Sequence, residues 1–119
     1  IPKIDILIDD GSHRAKDQKI TFEEMYYHVR KPGVYLIEDI ELNYWLDKDK
    51  NNPDNFMVYM KNKIDELNVR RTMNRKISES YPFKDNEVRF NNSTNSISFY
   101  ENMIVLDKQE MPKAKEIKA

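Results

Sequence analysis

Two short apolar runs, each ending in a pair of acidic residues, constrain this chain more than any other feature. The first is Ile4-Asp5-Ile6-Leu7-Ile8-Asp9-Asp10-Gly11-Ser12-His13 and the second is Gly33-Val34-Tyr35-Leu36-Ile37-Glu38-Asp39. Each reads as a buried strand that delivers carboxylates to its C-terminal end. A helix-length segment separates them, so the unit is β-α-β and its two strands lie parallel. In an open α/β sheet, ligands bind beyond the C-terminal ends of the strands. The spacing can therefore bring Asp10, His13, Glu38 and Asp39 into one crevice.

The flanking sequence supports that unit. Ile4 to Ile8 is nearly continuous in apolar, β-branched residues, which suits a strand covered on both faces. Gly11 allows a tight turn and Ser12 is placed to cap the next helix. From about Arg14 to Arg30, Phe22, Met25, Tyr26 and Val29 recur with helical spacing, and Pro32-Gly33 stops that helix before a strand over Val34 to Ile37. Ile40 to Asn55 reads as a long surface loop of the kind that forms lids. A helix follows from about Asp54 to Val69, with Phe56, Met60, Ile64 and Leu67 in one stripe. Arg70 to Asn86 has no firm assignment, and Pro82 argues against an uninterrupted helix there. Ser96 to Tyr100 and Met103 to Asp107, separated by Glu101-Asn102, read as a β-hairpin. The expected order is β-α-β-α-β-β, with the first domain running over 1–108 and a charged, frayed tail over 109–119.

Composition narrows the function. The chain has 119 residues, with 20 Lys+Arg against 21 Asp+Glu. That balance supplies no general pull toward nucleic acid or an anionic membrane. It has no Cys, which removes disulfides and thiolate metal sites and fits a cytoplasmic setting. No apolar run approaches the roughly 18 residues needed to span a bilayer. Its two glycines, Gly11 and Gly33, are too few for a glycine-rich phosphate loop. The chain opens on Ile1 directly before a strand, which suggests a piece of a longer protein. The basic cluster Arg70-Arg71, Arg75-Lys76 reads as a solvated face, and His28 as a structural residue near a helix end.

Carboxylates at two adjacent strand ends suit a hard cation. Mg²⁺ takes oxygen ligands in octahedral geometry and keeps some waters. Asp10, Glu38 and Asp39 can supply three of those ligands, with the remaining positions left to water or substrate oxygens. His13, at the entry to the helix, titrates near neutral pH and can accept a proton from a hydroxyl. Acidic residues after strands also serve as turn formers and helix caps, so the reading rests on the two clusters together. Tyr44-Trp45 reads equally as a substrate wall or as packing of a loop on the core.

The motifs Asp9-Asp10-Gly11-Ser12-His13, Thr21-Phe22, Pro32 to Asp39 and Tyr44-Trp45, with Ser96 to Val105, resemble class I S-adenosylmethionine-dependent methyltransferases. Within them the chain is most similar to the metal-dependent sugar and macrolide O-methyltransferases. The resemblance runs from Ile4 to Lys108 and is weakest from Asp47 to Val88. It implies an α/β fold, the C-terminal half of a Rossmann-like sheet that closes in an antiparallel hairpin, with the first three strands missing. It implies Asp10, Glu38 and Asp39 as Mg²⁺ ligands, Asp9 and Asp10 beside the S-adenosylmethionine cofactor, and His13 as general base toward a small-molecule hydroxyl, such as that of a sugar. The segment by itself is then expected to be inactive, with a homo-oligomer or the missing N-terminal half as its partner. The competing expectation is a non-catalytic, truncated or degenerate module that packs against another chain.

Overall fold

The computed structural model describes residues 3–45, 52–68 and 85–111. Strand β1 (Ile4–Asp9) leads through helix α1 (Ala15–Met25) and a 3₁₀ turn (Tyr26–His28) into strand β2 (Val29–Glu38). A short helix α2 (Leu42–Trp45) and helix α3 (Phe56–Leu67) follow. Helix α4 (Asp85–Ser93) then precedes the strands β3 (Thr94–Tyr100) and β4 (Met103–Lys108). The sheet order is β1-β2-β4-β3. β1 and β2 are parallel, and the other two pairings are antiparallel. A mixed α/β architecture that closes in a hairpin is therefore present, and β2 is an interior strand between the edge strand β1 and β4.

One face of the sheet holds the core. Alternate residues of a strand point to opposite faces, and Tyr35 and Ile37 of β2 share a face with Ile104 and Leu106 of β4, all fully buried. Phe22 of α1, Tyr26, Phe56 and Met60 of α3 and Phe90 of α4 cover that face. The ring of Phe22 meets Tyr35 edge-on at 5.2 Å, and Tyr26 lies 5.5 Å from Phe90. Aromatic pairs at these separations add packing energy beyond their buried area. The other face is open: Ile6 is 64% and Ile8 57% exposed. The expectation that β1 is covered on both faces is thus corrected, because every described helix that contributes to the core packs on the face of Tyr35 and Ile37.

The helix expected from Arg14 to Arg30 is shorter. It spans Ala15–Met25, tightens to 3₁₀ over Tyr26–His28, and Val29 already belongs to β2. Pro32-Gly33 consequently lies inside a strand. The pairing moves from Ile4↔Val29 to Ile6↔Val34, two positions along β1 but five along β2. This irregularity gives Pro32 a place where no ladder N–H is needed. A Cβ on Gly33 would meet the Arg30 carbonyl oxygen at 2.2 Å and that of Asp5 at 2.8 Å, so the crossing requires glycine. Ser12 does not cap α1. Arg14 occupies the N-cap without a side-chain bond, and the Ser12 hydroxyl donates to Asp17 while accepting from the Arg14 N–H.

In α3 the buried residues are Phe56, Met57 and Met60, whereas Ile64 is exposed. Asn55 caps this helix by accepting from the N–H groups of Met57 and Val58. The hairpin forms at the expected place, with two residues between Tyr100 and Met103. α4 was not anticipated from the sequence. The basic cluster at 70–76, Pro82 and residues 46–51 of the expected lid fall outside the described residues, and the described start of that lid forms the short helix α2. Of the expected tail, residues 109–111 are held rather than frayed. Gln109 and Met111 donate backbone bonds to Ser93 and Asn92, and Glu110 pairs with Lys31 at 2.8 Å.

Two buried polar features knit the elements together. Asn43 donates to the Gln18 side chain at 3.1 Å and accepts from the Phe56 N–H at 2.9 Å. Its own carbonyl accepts from Asn55 at 2.8 Å. The Lys108 ammonium donates to the carbonyls of Tyr26 and Val29 and sits 4.1 Å from the centre of the Tyr26 ring.

Asn43→Ala strands a buried helix N–H and the Gln18 amide oxygen, and is expected to cost about 3 kcal/mol in urea denaturation. A loss below 1 kcal/mol would contradict the network. Burial, reinforced by Lys31, Lys3 and Arg89, pushes Lys108 down to about 8 from 10.5. The unfolded chain then holds the extra proton between those values, so stability rises with pH from about 8 to 10. That rise is expected to vanish in Lys108→Met, as read by denaturation midpoints across this window.

Candidate metal and acid-base site

The C-terminal ends of β1 and β2 lie side by side, with Asp9 paired to Ile37. Asp10 and Asp39 each follow directly. The Nε2 of His13 lies 3.0 Å from Oδ1 of Asp10 and 3.2 Å from Oδ2 of Asp39. One ligand-capable atom from each of the three residues falls within 4.8 Å of the others. Asp10 is exposed, whereas His13 and Asp39 are half-buried.

The backbone makes this convergence by unusual means. His13 has φ 65° and Asp39 φ 57°, in the left-handed region that non-glycine residues seldom occupy. In the first turn it is His13, not Gly11, that takes the left-handed conformation. Left-handed residues other than glycine concentrate where the surrounding structure holds them for a purpose. Asp39 is held from two sides. Its carbonyl accepts from Gln18 of α1 at 3.3 Å, its N–H donates to the Asn102 carbonyl at 3.0 Å, and its Oδ1 accepts from the Asn102 amide at 2.9 Å.

The structure brings together three of the residues singled out in the sequence: Asp10, His13 and Asp39. Glu38 stands apart from that group. As the residue after Ile37, it lies on the opposite, open face of the sheet. Asp9 is buried, and its Oδ1 accepts from the Gly11 N–H at 3.1 Å while Oδ2 has no partner among the described residues. Gln18, Asn43 and Asn102 went unnoticed in the sequence. The only available hint was a polar residue within an apolar helical stripe, at Gln18, and an asparagine at a hairpin turn.

His13 is held above its ordinary value of 6.5. The hydrogen bond to Asp10 is the main cause, partial desolvation opposes it, and the charges of Asp39, Asp10 and Asp9 add to the rise. The imidazole is thus poised to hold a proton beside two carboxylates. The two carboxylates suit a divalent cation, with the imidazole beside them as a proton acceptor. Two ligand atoms about 2.1 Å from one ion lie at most about 4.2 Å apart, which a small side-chain adjustment here satisfies.

Next to Asp39 a cleft of about 680 Å³ opens. It begins at Ile40 and Glu41 and is walled by Tyr44, Trp45, Tyr100 and Asn102. Tyr44 and Trp45 are both exposed there, so they face the cleft and are not packed into the core.

The four-stranded sheet of this order matches a methyltransferase type of α/β fold. The structure matches the MycE methyltransferase of the mycinamycin biosynthetic pathway, solved with Mg and SAH. The TM-score is 0.72 at 24% identity, and the match covers 90% of this chain and 27% of that one. A second MycE structure, which also holds mycinamycin VI, matches with a TM-score of 0.67 at 22% identity, over 90% of this chain and 26% of that one.

In sequence, the chain is 46% identical over 41 residues to demethylmacrocin O-methyltransferase of Streptomyces fradiae, 34% of this chain and 10% of the relative. Mycinamicin VI 2''-O-methyltransferase of Micromonospora griseorubida matches with the same identity, length and shares. L-olivosyl-oleandolide 3-O-methyltransferase of Streptomyces antibioticus is 44% identical over 41 residues, 34% of this chain and 11% of the relative. No protein-family model matches. The matched stretch covers only about a tenth of the length of these curated relatives. Its relatives are therefore macrolide and sugar O-methyltransferases, and it carries the fold of part of one. No described helix is long and apolar enough to cross a membrane.

An NMR titration of the His13 ring is expected to give a midpoint above 6.5. Asp10→Asn should bring that midpoint down, because it removes the charge and weakens the main bond. The pair's contribution to stability is fully present below 6.5 and is lost as pH rises through the His13 value. A midpoint at or below 6.5 in the unsubstituted chain would refute the arrangement.

Proposed function

We propose that this chain carries the cation-binding and proton-accepting part of an O-methyltransferase that uses S-adenosylmethionine to methylate a hydroxyl of a small molecule, with a sugar hydroxyl as acceptor. The convergence of Asp10, His13 and Asp39 beyond two parallel strands carries this reading. The fold match and the sequence relatives support it. Asp10 and Asp39 hold a divalent cation, with Glu38 as the third carboxylate once its side chain reaches around the strand end. Asp9 and Asp10 lie on the side of the methyl donor.

In the reaction the acceptor oxygen forms a bond to the methyl carbon as the carbon–sulfur bond breaks. The hydroxyl proton passes to Nε2 of His13. A divalent cation held by these carboxylates would supply positive charge that makes a nearby hydroxyl more acidic. The chain's contribution is to hold donor, acceptor and base in line, which by itself removes much of the barrier. Tyr44 and Trp45 are placed to contact the acceptor, because their cleft opens one residue beyond Asp39.

The open face at Ile6 and Ile8 supports a further element of this reading. The chain is the C-terminal part of a longer methyltransferase domain, and by itself it turns over no substrate. The test is methyl transfer from labelled S-adenosylmethionine by the longer protein that contains this chain. EDTA is expected to abolish activity and added Mg²⁺ to restore it, whereas His13→Ala should lower kcat about 10²- to 10⁴-fold, the usual worth of a positioned base. Full turnover after chelation would sink the cation mechanism, and unchanged turnover in His13→Ala would remove the base.

A further inference from the structure

Resting on the cation reading of the cluster, we infer that Asn102 is a positioning residue that sets the Asp39 carboxylate for its ligand. Asn102 is the second residue of the β3–β4 turn and has φ 58°. It binds the Asp39 turn with three separate polar groups. Its carbonyl accepts from the Asp39 N–H at 3.0 Å, its Nδ2 donates to Asp39 Oδ1 at 2.9 Å, and its Oδ1 accepts from the Glu41 N–H at 3.0 Å.

The hairpin alone does not require asparagine. A turn with a left-handed residue at this position is served as well or better by glycine. What glycine lacks is the side-chain donor for Asp39 and the acceptor for Glu41. Aspartate tolerates the left-handed conformation, but it would face Asp39 with a second carboxylate instead of a donor. Serine is too short to span both partners. Asparagine alone meets the turn, the donor and the acceptor together, so the identity of residue 102 is explained by Asp39 and not by the hairpin.

The bond has a directional consequence. With Oδ1 of Asp39 engaged by Asn102, Oδ2 is the oxygen directed at His13, 3.2 Å from Nε2. The carboxylate is thereby fixed in one rotamer with one oxygen turned toward the cluster. A bond to an ionised acceptor is among the stronger protein hydrogen bonds. Partners of this kind, which orient a metal ligand from behind, typically change affinity by about 10- to 100-fold when removed.

The test is Mn²⁺ binding to the full chain, measured by calorimetry and by electron paramagnetic resonance, for the unsubstituted protein and Asn102→Gly. Glycine keeps the turn conformation and deletes only the side-chain bonds. The expected result is affinity weakened about tenfold or more, with a changed spectrum for the bound ion, faster amide exchange at Glu41, and a melting temperature within a few degrees. A residue serving only the hairpin would lower the melting temperature and leave affinity and spectrum as they were. Affinity within twofold of the unsubstituted chain overturns the inference alone. No Mn²⁺ binding by the unsubstituted chain overturns the cation reading, and the inference falls with it.

Discussion

The buried amides of Gln18, Asn43 and Asn55 form the joint on which the rest of this structure depends. Asn43 sits where the end of β2, the short helix α2 and the start of α3 meet, and its side chain satisfies groups from α1 and α3 at once. Gln18 then passes the connection on to the Asp39 carbonyl. A buried polar network is favourable only when its members are satisfied, because each orphaned group bears its full desolvation cost. Satisfied as it is here, it ties the core to the turn that carries the candidate ligand. The apolar cluster under the sheet supplies burial, but it is not directional. The amides determine where the chain leaves β2 and where α3 begins.

The site is held against a backbone preference. His13 and Asp39 both adopt left-handed conformations, each about 1–2 kcal/mol less favourable than the right-handed form. Asp39 is secured by Gln18 on the core side and by Asn102 on the hairpin side, whereas His13 is secured mainly through its ring, between two carboxylates. The same carboxylates raise its affinity for a proton. One arrangement therefore provides both a candidate cation site and a base beside it. The two uses compete for the same oxygens in the free protein, since the imidazole lies within hydrogen-bond distance of both Asp10 and Asp39.

The two faces of the sheet tell different stories. The covered face is a complete core, with Tyr35, Ile37, Ile104 and Leu106 beneath packed rings. The other face leaves Ile6 and Ile8 open along an edge strand, a surface that soluble proteins normally cover or blunt. The aromatic cleft at Tyr44 and Trp45 lies on the hairpin side of Asp39, so the proposed acceptor contacts and the cation site share one boundary at Ile40.

Local pattern was enough for the β-α-β unit, the α3 helix and the closing hairpin, because each is written in nearby residues: apolar runs of strand length, helical spacing of apolar residues, and a two-residue gap. It was also enough to mark Asp10, His13 and Asp39 as residues to bring together. It misjudged the start of β2, because Pro32-Gly33 looks the same as a helix stop and as an irregularity inside a strand, and only pairing with β1 distinguishes them. It could not place Glu38 relative to the cluster, since which face a strand-end residue takes depends on register. It did not show Gln18, Asn43 or Asn102, whose polar groups acquire meaning only from partners 25, 13 and 63 residues away in the chain. The sequence by itself determined the β-α-β unit, α3, the hairpin and the carboxylates that end the two parallel strands, because these follow from local periodicity. The tertiary structure alone decided which side chains meet, because a hydrogen bond between distant segments is set by the packing that brings them together.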